Sequence, residues 1–329
     1  MINPNQPAPS AMNAISRSWE WTLRILLPFD FSRWITFAVI VWVSMLASGG
    51  LSIFGNWGEN NKMRNEEDTL QSIREGSSWI LANWALVTGI GVILFLLITA
   101  IYALLLWLSC RAAFSLVHSA KTGTPQMTAP WKHYAREGNS LFLGRFIIGM
   151  GFFILQVILT VPAVVAMLGP LDKVVAIDDL FSGAVLLPVL GILVGSLLLF
   201  SLYFKIDFLV YDFITPIMYH RRATFTEACG IFGPLFAARL GEILIYGLIR
   251  LSLAFLIGIV STAVIICFIC GTCCIGALPV LSAIPMVPFE MFRRSIALFY
   301  LEQWGPEYFA FDYAPEAPPQ PLPMPPAYP

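Results

Sequence analysis

Six apolar segments, at about 35–54, 85–108, 146–169, 183–204, 247–270 and 275–292, leave this chain few ways to fold. A helix needs about 20 apolar residues, rising 1.5 Å each, to cross a hydrocarbon core of roughly 30 Å. The first five segments meet that length, and the first four contain no ionisable residue. The sixth is marginal in length and contains Pro279, Pro285 and Pro288, which mark it as a discontinuous helix. Lipid offers no water to unpaired backbone groups, so the segments should be helical, and open strands are excluded. The expected fold class is all-α: a polytopic integral membrane protein of about six transmembrane helices, with interfacial amphipathic helices around them.

Composition agrees. The chain is 58% hydrophobic and 12% charged, against roughly half and a quarter in a soluble domain. A net charge of −1 provides no basic footprint for nucleic acid. Six cysteines in 329 residues do not make a disulfide framework. Met1 to Ser10 has no Lys or Arg, so a signal peptide is not expected. The chain divides into a flexible tail at 1–11, a membrane domain at 12–308 and a Pro-rich disordered tail at 309–329. From Ala314 that tail has eight prolines in sixteen residues.

Charge distribution orients the segments. Fourteen of the nineteen Lys and Arg residues fall on one side. These are Arg17, Arg24 and Arg33; Arg111, Lys121, Lys132, Arg136 and Arg145; Lys205, Arg221, Arg222 and Arg239; and Arg293 and Arg294. Loops 55–84 and 170–182 hold four, Lys62, Arg64, Arg74 and Lys173, among eight acidic residues. The bias places both termini in the cytoplasm and these two loops outside. An even number of spans agrees with two cytoplasmic ends.

Between the spans the sequence is mixed. Ile15, Trp19, Leu23 and Leu26 recur at helical spacing, with Arg17, Glu20 and Arg24 opposite. That helix either lies in the headgroup layer or packs on the protein's own cytoplasmic face. A short helix near 66–75 is expected in the outer loop. Gly138-Asn139-Ser140 reads as a turn capping the third span, with Asn139 or Ser140 as N-cap. Pro216 should break the fourth helix. Thr224 through Glu227 fits a capping box that starts a helix near Phe225, interrupted at Gly233-Pro234.

Candidate chemistry is sparse. Cys267, Cys270, Cys273 and Cys274 surround a turn at the outer end of the fifth span. Their spacing permits zinc or an iron–sulfur cluster, but without a second CxxC or a nearby His or acid they read as packing or a disulfide. Asp207, Asp212, His220, Arg221 and Arg222 could surround an anionic headgroup or phosphate; the alternative is positive-inside charge with two ordinary carboxylates. Arg250 interrupts an apolar run and is a functional-site candidate by default. At the cytoplasmic boundary it would instead snorkel to water. Glu290 with Arg293 and Arg294 forms a helical ion-pair set that anchors topology. Gly191 and Gly195 make a GxxxG that permits close helix approach. No nucleotide, zincin or Ser/His/Asp pattern is present, and no cofactor is expected.

Several of these segments carry a resemblance. They are Trp21-Thr22-x-Arg24-Ile25-Leu26-x-Pro28-Phe29-Asp30, Pro130-Trp131 through Phe142, Asp212 to Tyr219 followed by an Arg pair, and Phe292-Arg293 through Tyr308. Together they resemble an uncharacterised family of bacterial multi-span membrane proteins. That family is also similar to the membrane domain fused to some bacterial glycerophosphodiester phosphodiesterases. No soluble barrel domain accompanies it here, so their hydrolytic activity is not implied. The resemblance implies a bacterial cytoplasmic (inner) membrane, with the bilayer and other membrane proteins as partners. Three functions stay open: a non-enzymatic scaffold or lipid- or partner-binding module, a small-solute or lipid transporter, and a membrane lipid enzyme centred on Asp207, Asp212 and His220.

Overall fold

A computed structural model describes residues 9–27, 29–48, 66–171, 183–272 and 278–311, all of them helix or short connection and without a strand. Twelve α-helices are labelled here in chain order: α1 (Ala11–Leu26), α2 (Phe31–Met45), α3 (Glu66–Ala82), α4 (Trp84–Thr122), α5 (Thr128–His133), α6 (Ala135–Leu171), α7 (Gly183–Leu209), α8 (Thr215–Arg221), α9 (Phe225–Ala238), α10 (Leu240–Gly271), α11 (Pro279–Ala283) and α12 (Val287–Glu302). A π-helical turn, Val210–Ile214, joins α7 to α8, and a 3-10 turn, Ile284–Met286, joins α11 to α12.

Four stretches are long and apolar enough to cross a membrane: α4, Ala135–Leu168 in α6, Val185–Arg221 through α7 and α8, and α10. The expected count of about six spans is therefore not reached by full-length helices. The first expected span is the 15-residue α2 followed by the 3-10 turn Leu46–Ser48. The sixth is divided into α11, the 3-10 turn and α12, with Pro285 inside the turn. The expected Pro-rich tail from 312, the outer-loop residues 49–65 and 172–182, and the turn at 273–277 lie outside the described residues.

The long helices outrun a bilayer at one end. With 39 residues, α4 is about 58 Å long, against a core of roughly 30 Å. Its first half is exposed, while Leu106, Cys110, Phe114, Leu116, Val117 and Ala120 are buried. The same division holds for α10, where Ile243, Tyr246 and Arg250 are buried but Leu251, Phe255, Leu256 and Ile259 are exposed. No more than 6% of the most apolar window of any of the four is buried. One end of the molecule is thus a packed core, and four apolar lengths project from it.

Helix α12 is the centre of that core, with Val287, Met291, Leu298 and Leu301 fully enclosed. α1 packs on it through its small side chains, Ala11, Ala14, Ser18 and Thr22, all buried. Met12, Trp19 and Leu23 face outward, so the helix packs on the protein's own face through its small side chains and leaves its large apolar ones exposed. Arg17 pairs with Glu302 at 2.8 Å and lies over the Phe299 ring. The Ser10 amide donates to Gln303 Oε1 at 2.7 Å, and Gln303 Nε2 donates back to the Ser10 carbonyl. Packing continues past the expected boundary at 308: Phe309 and Phe311 are buried, and Phe311 stacks on Phe299 at 4.4 Å.

Two expected breaks are absent. α6 runs straight through Gly138-Asn139-Ser140. Asn139 Oδ1 accepts from Trp107 Nε1 and Arg111 on α4, and Ser140 Oγ accepts from the Phe225 amide, so both polar groups serve neighbours instead of a cap. α9 starts at Phe225, as its sequence indicates, and continues through Pro234. The expected break at Pro216 is absent too: the helix runs on from α7 through the π turn into α8, with Pro216 in the first turn of α8.

A β-carbon on Gly144 would stand 2.5 Å from the Phe225 ring. Gly144→Val should therefore destabilise the α6–α9 contact by about 1–3 kcal/mol. Thermal unfolding of the detergent-solubilised protein should show that loss, and adding Phe225→Ala should recover part of it.

Candidate functional site

The charged residues singled out in the sequence do not meet at one place. Asp207 accepts from Arg145 Nη2 at 2.6 Å, joining α7 to α6. Asp212, in the π turn, accepts from Arg250 Nε at 3.1 Å and from the Tyr246 hydroxyl at 3.0 Å. Arg250 Nη2 donates on to the Arg293 carbonyl, so π turn, α10 and α12 are tied together. His220 Nε2 lies 2.8 Å from the Pro306 carbonyl, and Arg221 Nε donates to the Glu307 carbonyl at 2.7 Å. Beside them, burial and Glu307 push the Tyr308 phenol above its ordinary value. Arg222, in the left-handed conformation (φ 56°), donates to the His133 carbonyl and Glu137 Oε1 and lies over Tyr134.

Arg250 does not snorkel. It sits where the exposed length of α10 begins, but its side chain is turned inward and only 5% of the residue is exposed. A carboxylate was needed to hold it there, and Asp212, 2% exposed, supplies it. In the expected anchor, which lies in the first turns of α12, Glu290 pairs with Arg293 at 3.3 Å. Arg294 instead donates to the Tyr211 carbonyl at 2.6 Å and lies on the Tyr211 ring.

Cys267 and Cys270 are free and exposed near the far end of α10; Cys273 and Cys274 lie outside the described residues. Among the described residues no group of three or more His, Cys, Asp or Glu side chains converges as a metal site. Gly195 meets Leu159 of α6, where a β-carbon would stand 2.5 Å from its side chain, while Gly191 faces open space.

The sequence did not single out the cleft between α4, α6 and α7, of about 390 Å³. Each helix contributes two turns: 95–102, 149–156 and 196–203. The walls are aromatic. Phe95 stacks on Phe153 at 4.8 Å, and Phe152 meets Tyr203 edge-on at 5.4 Å. At the end nearer the core Tyr102 and Tyr203 come together, one helical turn from the Arg145–Asp207 pair. At the other end Gln156 Nε2 donates to Ser196 Oγ at 2.7 Å and to Thr160 Oγ1 at 2.9 Å. The available signal was Gln156 itself, an amide within an uncharged apolar run.

Residues 9–301 match the model of a family of unknown function, DUF7544. The chain belongs to this family. No curated protein and no solved structure matches, and no comparison links the chain to glycerophosphodiester phosphodiesterases. The DUF7544 match spans both the packed core and the projecting helices, so the two were described by one family model.

Removing one partner of a buried pair leaves the other charge stranded, at about 3–5 kcal/mol. Asp212→Asn and Arg250→Met should each lower the thermal midpoint strongly, whereas Asp212→Leu with Arg250→Met should cost less than either alone. Outside the spans, Glu227 accepts from the Thr224 amide at 2.8 Å, which holds its carboxyl below the ordinary value. Its contribution is present above the ordinary carboxylate range and is lost as pH falls through the lowered pKa. Glu227→Gln should remove that part of the acid-side stability change in melts between about pH 6 and pH 3.

Proposed function

We propose that this DUF7544 protein is a multi-pass integral membrane protein that acts as a non-catalytic lipid- or partner-binding module. The observation behind this reading is the cleft between α4, α6 and α7: its lining is apolar and aromatic, and it opens within lengths of helix that bury almost nothing against the protein. In water such surface would be untenable; in a bilayer it is solvated. The polar groups suited to chemistry, Asp207, Asp212, His220, Arg221 and Arg222, are engaged with structural partners, which weighs against a lipid enzyme built on them.

In this reading six segments enter the membrane of a bacterial cell. Four cross as long helices. α2 and the broken segment of α11 and α12 pack on each other as the fifth and sixth. The packed end faces the cytoplasm, since Lys121, Lys132, Arg136, Arg145, Lys205, Arg221 and Arg239 all lie there, together with the first and last described residues of the chain. Intact cells treated with an impermeant maleimide test this, using single-cysteine variants after the native cysteines are replaced by Ser. Ser78→Cys should label and Lys121→Cys should not; labelling of Lys121→Cys from outside overturns the orientation.

A transporter is the second reading, supported by the 3-10 turn at Pro285 that divides the sixth segment. It requires solute or lipid flux in proteoliposomes that Pro285→Ala abolishes. Flux unaffected by that change, or none across a broad panel, removes it.

A further inference from the structure

The cleft is closed by polar groups at both ends and lined by apolar surface between them. Seven residues separate Phe95 from Tyr102, Gly149 from Gln156 and Ser196 from Tyr203, so on each helix the cleft runs about 10 Å. Gln156 lies eleven residues from Arg145, about 16 Å along α6. With the Arg145–Asp207 pair at the membrane boundary, the Gln156–Ser196 rung sits near the middle of a core of roughly 30 Å.

That depth sets the chemistry of an occupant. None of the lining residues is charged at neutral pH, so nothing there compensates a phosphate or carboxylate taken out of water. The occupant must therefore be uncharged where it meets the rung. Gln156 donates to Thr160 and Ser196 through its amide nitrogen, and its amide oxygen accepts no hydrogen bond among the described residues. An acceptor kept at mid-membrane matches a donor on the ligand, and a hydroxyl is the neutral lipid group that supplies one. The stacked rings of Phe95 and Phe153 then flank the chain next to that hydroxyl. An ordinary phospholipid places only methylene groups at this depth and gains nothing from the rung. A volume of about 390 Å³ falls in the range of small-molecule sites, roughly 300–1,000 Å³.

We propose that the cleft between α4, α6 and α7 binds an uncharged lipid bearing a hydroxyl group, with the hydroxyl at Gln156 and Ser196 and the apolar chain along the aromatic walls. This rests on the membrane placement of α4, α6 and α7 stated above, and extends it from general solvation by lipid to a site with a chemical preference.

Photo-crosslinking of the full-length protein in nanodiscs tests it. The probe is a long-chain alcohol carrying a diazirine, set against its methyl ether and the matching phospholipid. Two variants accompany the wild type. Gln156→Leu removes the amide. Gly149→Leu fills the cleft from a position where a β-carbon meets only the Tyr102 hydroxyl, at 3.9 Å. The alcohol probe should label peptides of 95–102, 149–156 or 196–203 saturably. Excess unlabelled alcohol should compete at least tenfold better than the ether or phospholipid. Both variants should lose at least tenfold in saturable labelling while keeping the wild-type gel-filtration profile. Equal, non-saturable labelling by all three probes would overturn the site, leaving the helices merely lipid-solvated, and so would undiminished labelling of both variants. A failure of membrane placement itself would show separately, as external labelling of Lys121→Cys.

Discussion

Asp212 is the group on which the packed end depends. It lies in the π turn near the packed end of the third long apolar stretch, Val185–Arg221, and it accepts from two groups of α10 at once, Tyr246 and Arg250. Arg250 then reaches α12 through the Arg293 carbonyl. A buried carboxylate or guanidinium alone would be costly, and each makes the other tolerable. The π turn carries Asp212 and runs directly into α8, whose first turn holds Pro216. Beside it, Asp207 does the same work toward α6 through Arg145. Two carboxylates from one helix end thus fix the positions of α6, α10 and α12.

Much of the fold could be read in the sequence because lipid imposes simple rules. Runs free of charge and about 20 residues long announced α4, α6, α7 and α10 directly. The start of α9 was visible in Thr224 and Glu227, a local pattern with a local cause. The failures share a cause of a different kind. Gly138-Asn139-Ser140 has the residues of a turn, but Asn139 and Ser140 bond to α4 and α9, partners far away in sequence. Arg250 was assigned to water because its carboxylate lies 38 positions back, on another helix. Charge and periodicity identify elements; they do not identify which distant side chain an inward-facing group will meet.

The cleft was hidden for the same reason. Its features come from three helices, and only Gln156 departs from an apolar background. The residues that attracted attention first, the Asp, His and Arg cluster after the fourth span, were conspicuous by charge and turned out to be mortar between helices. Charge near a membrane boundary is common and usually structural, and it draws attention away from an uncharged amide such as Gln156, which joins α6 to α7 through Ser196.

The junction of α1 with α12 has a consequence in time. α1 is synthesised well before α12, and α12 supplies the surface it packs on. Until Gln303 exists, the Ser10 backbone has no partner across that junction, and Ala11, Ala14, Ser18 and Thr22 have nothing to cover them. During synthesis α1 therefore lacks this partner surface until α12 follows. The contact of Ser10 and α1 with Gln303 and α12 is a latch that cannot close until α12 has been made.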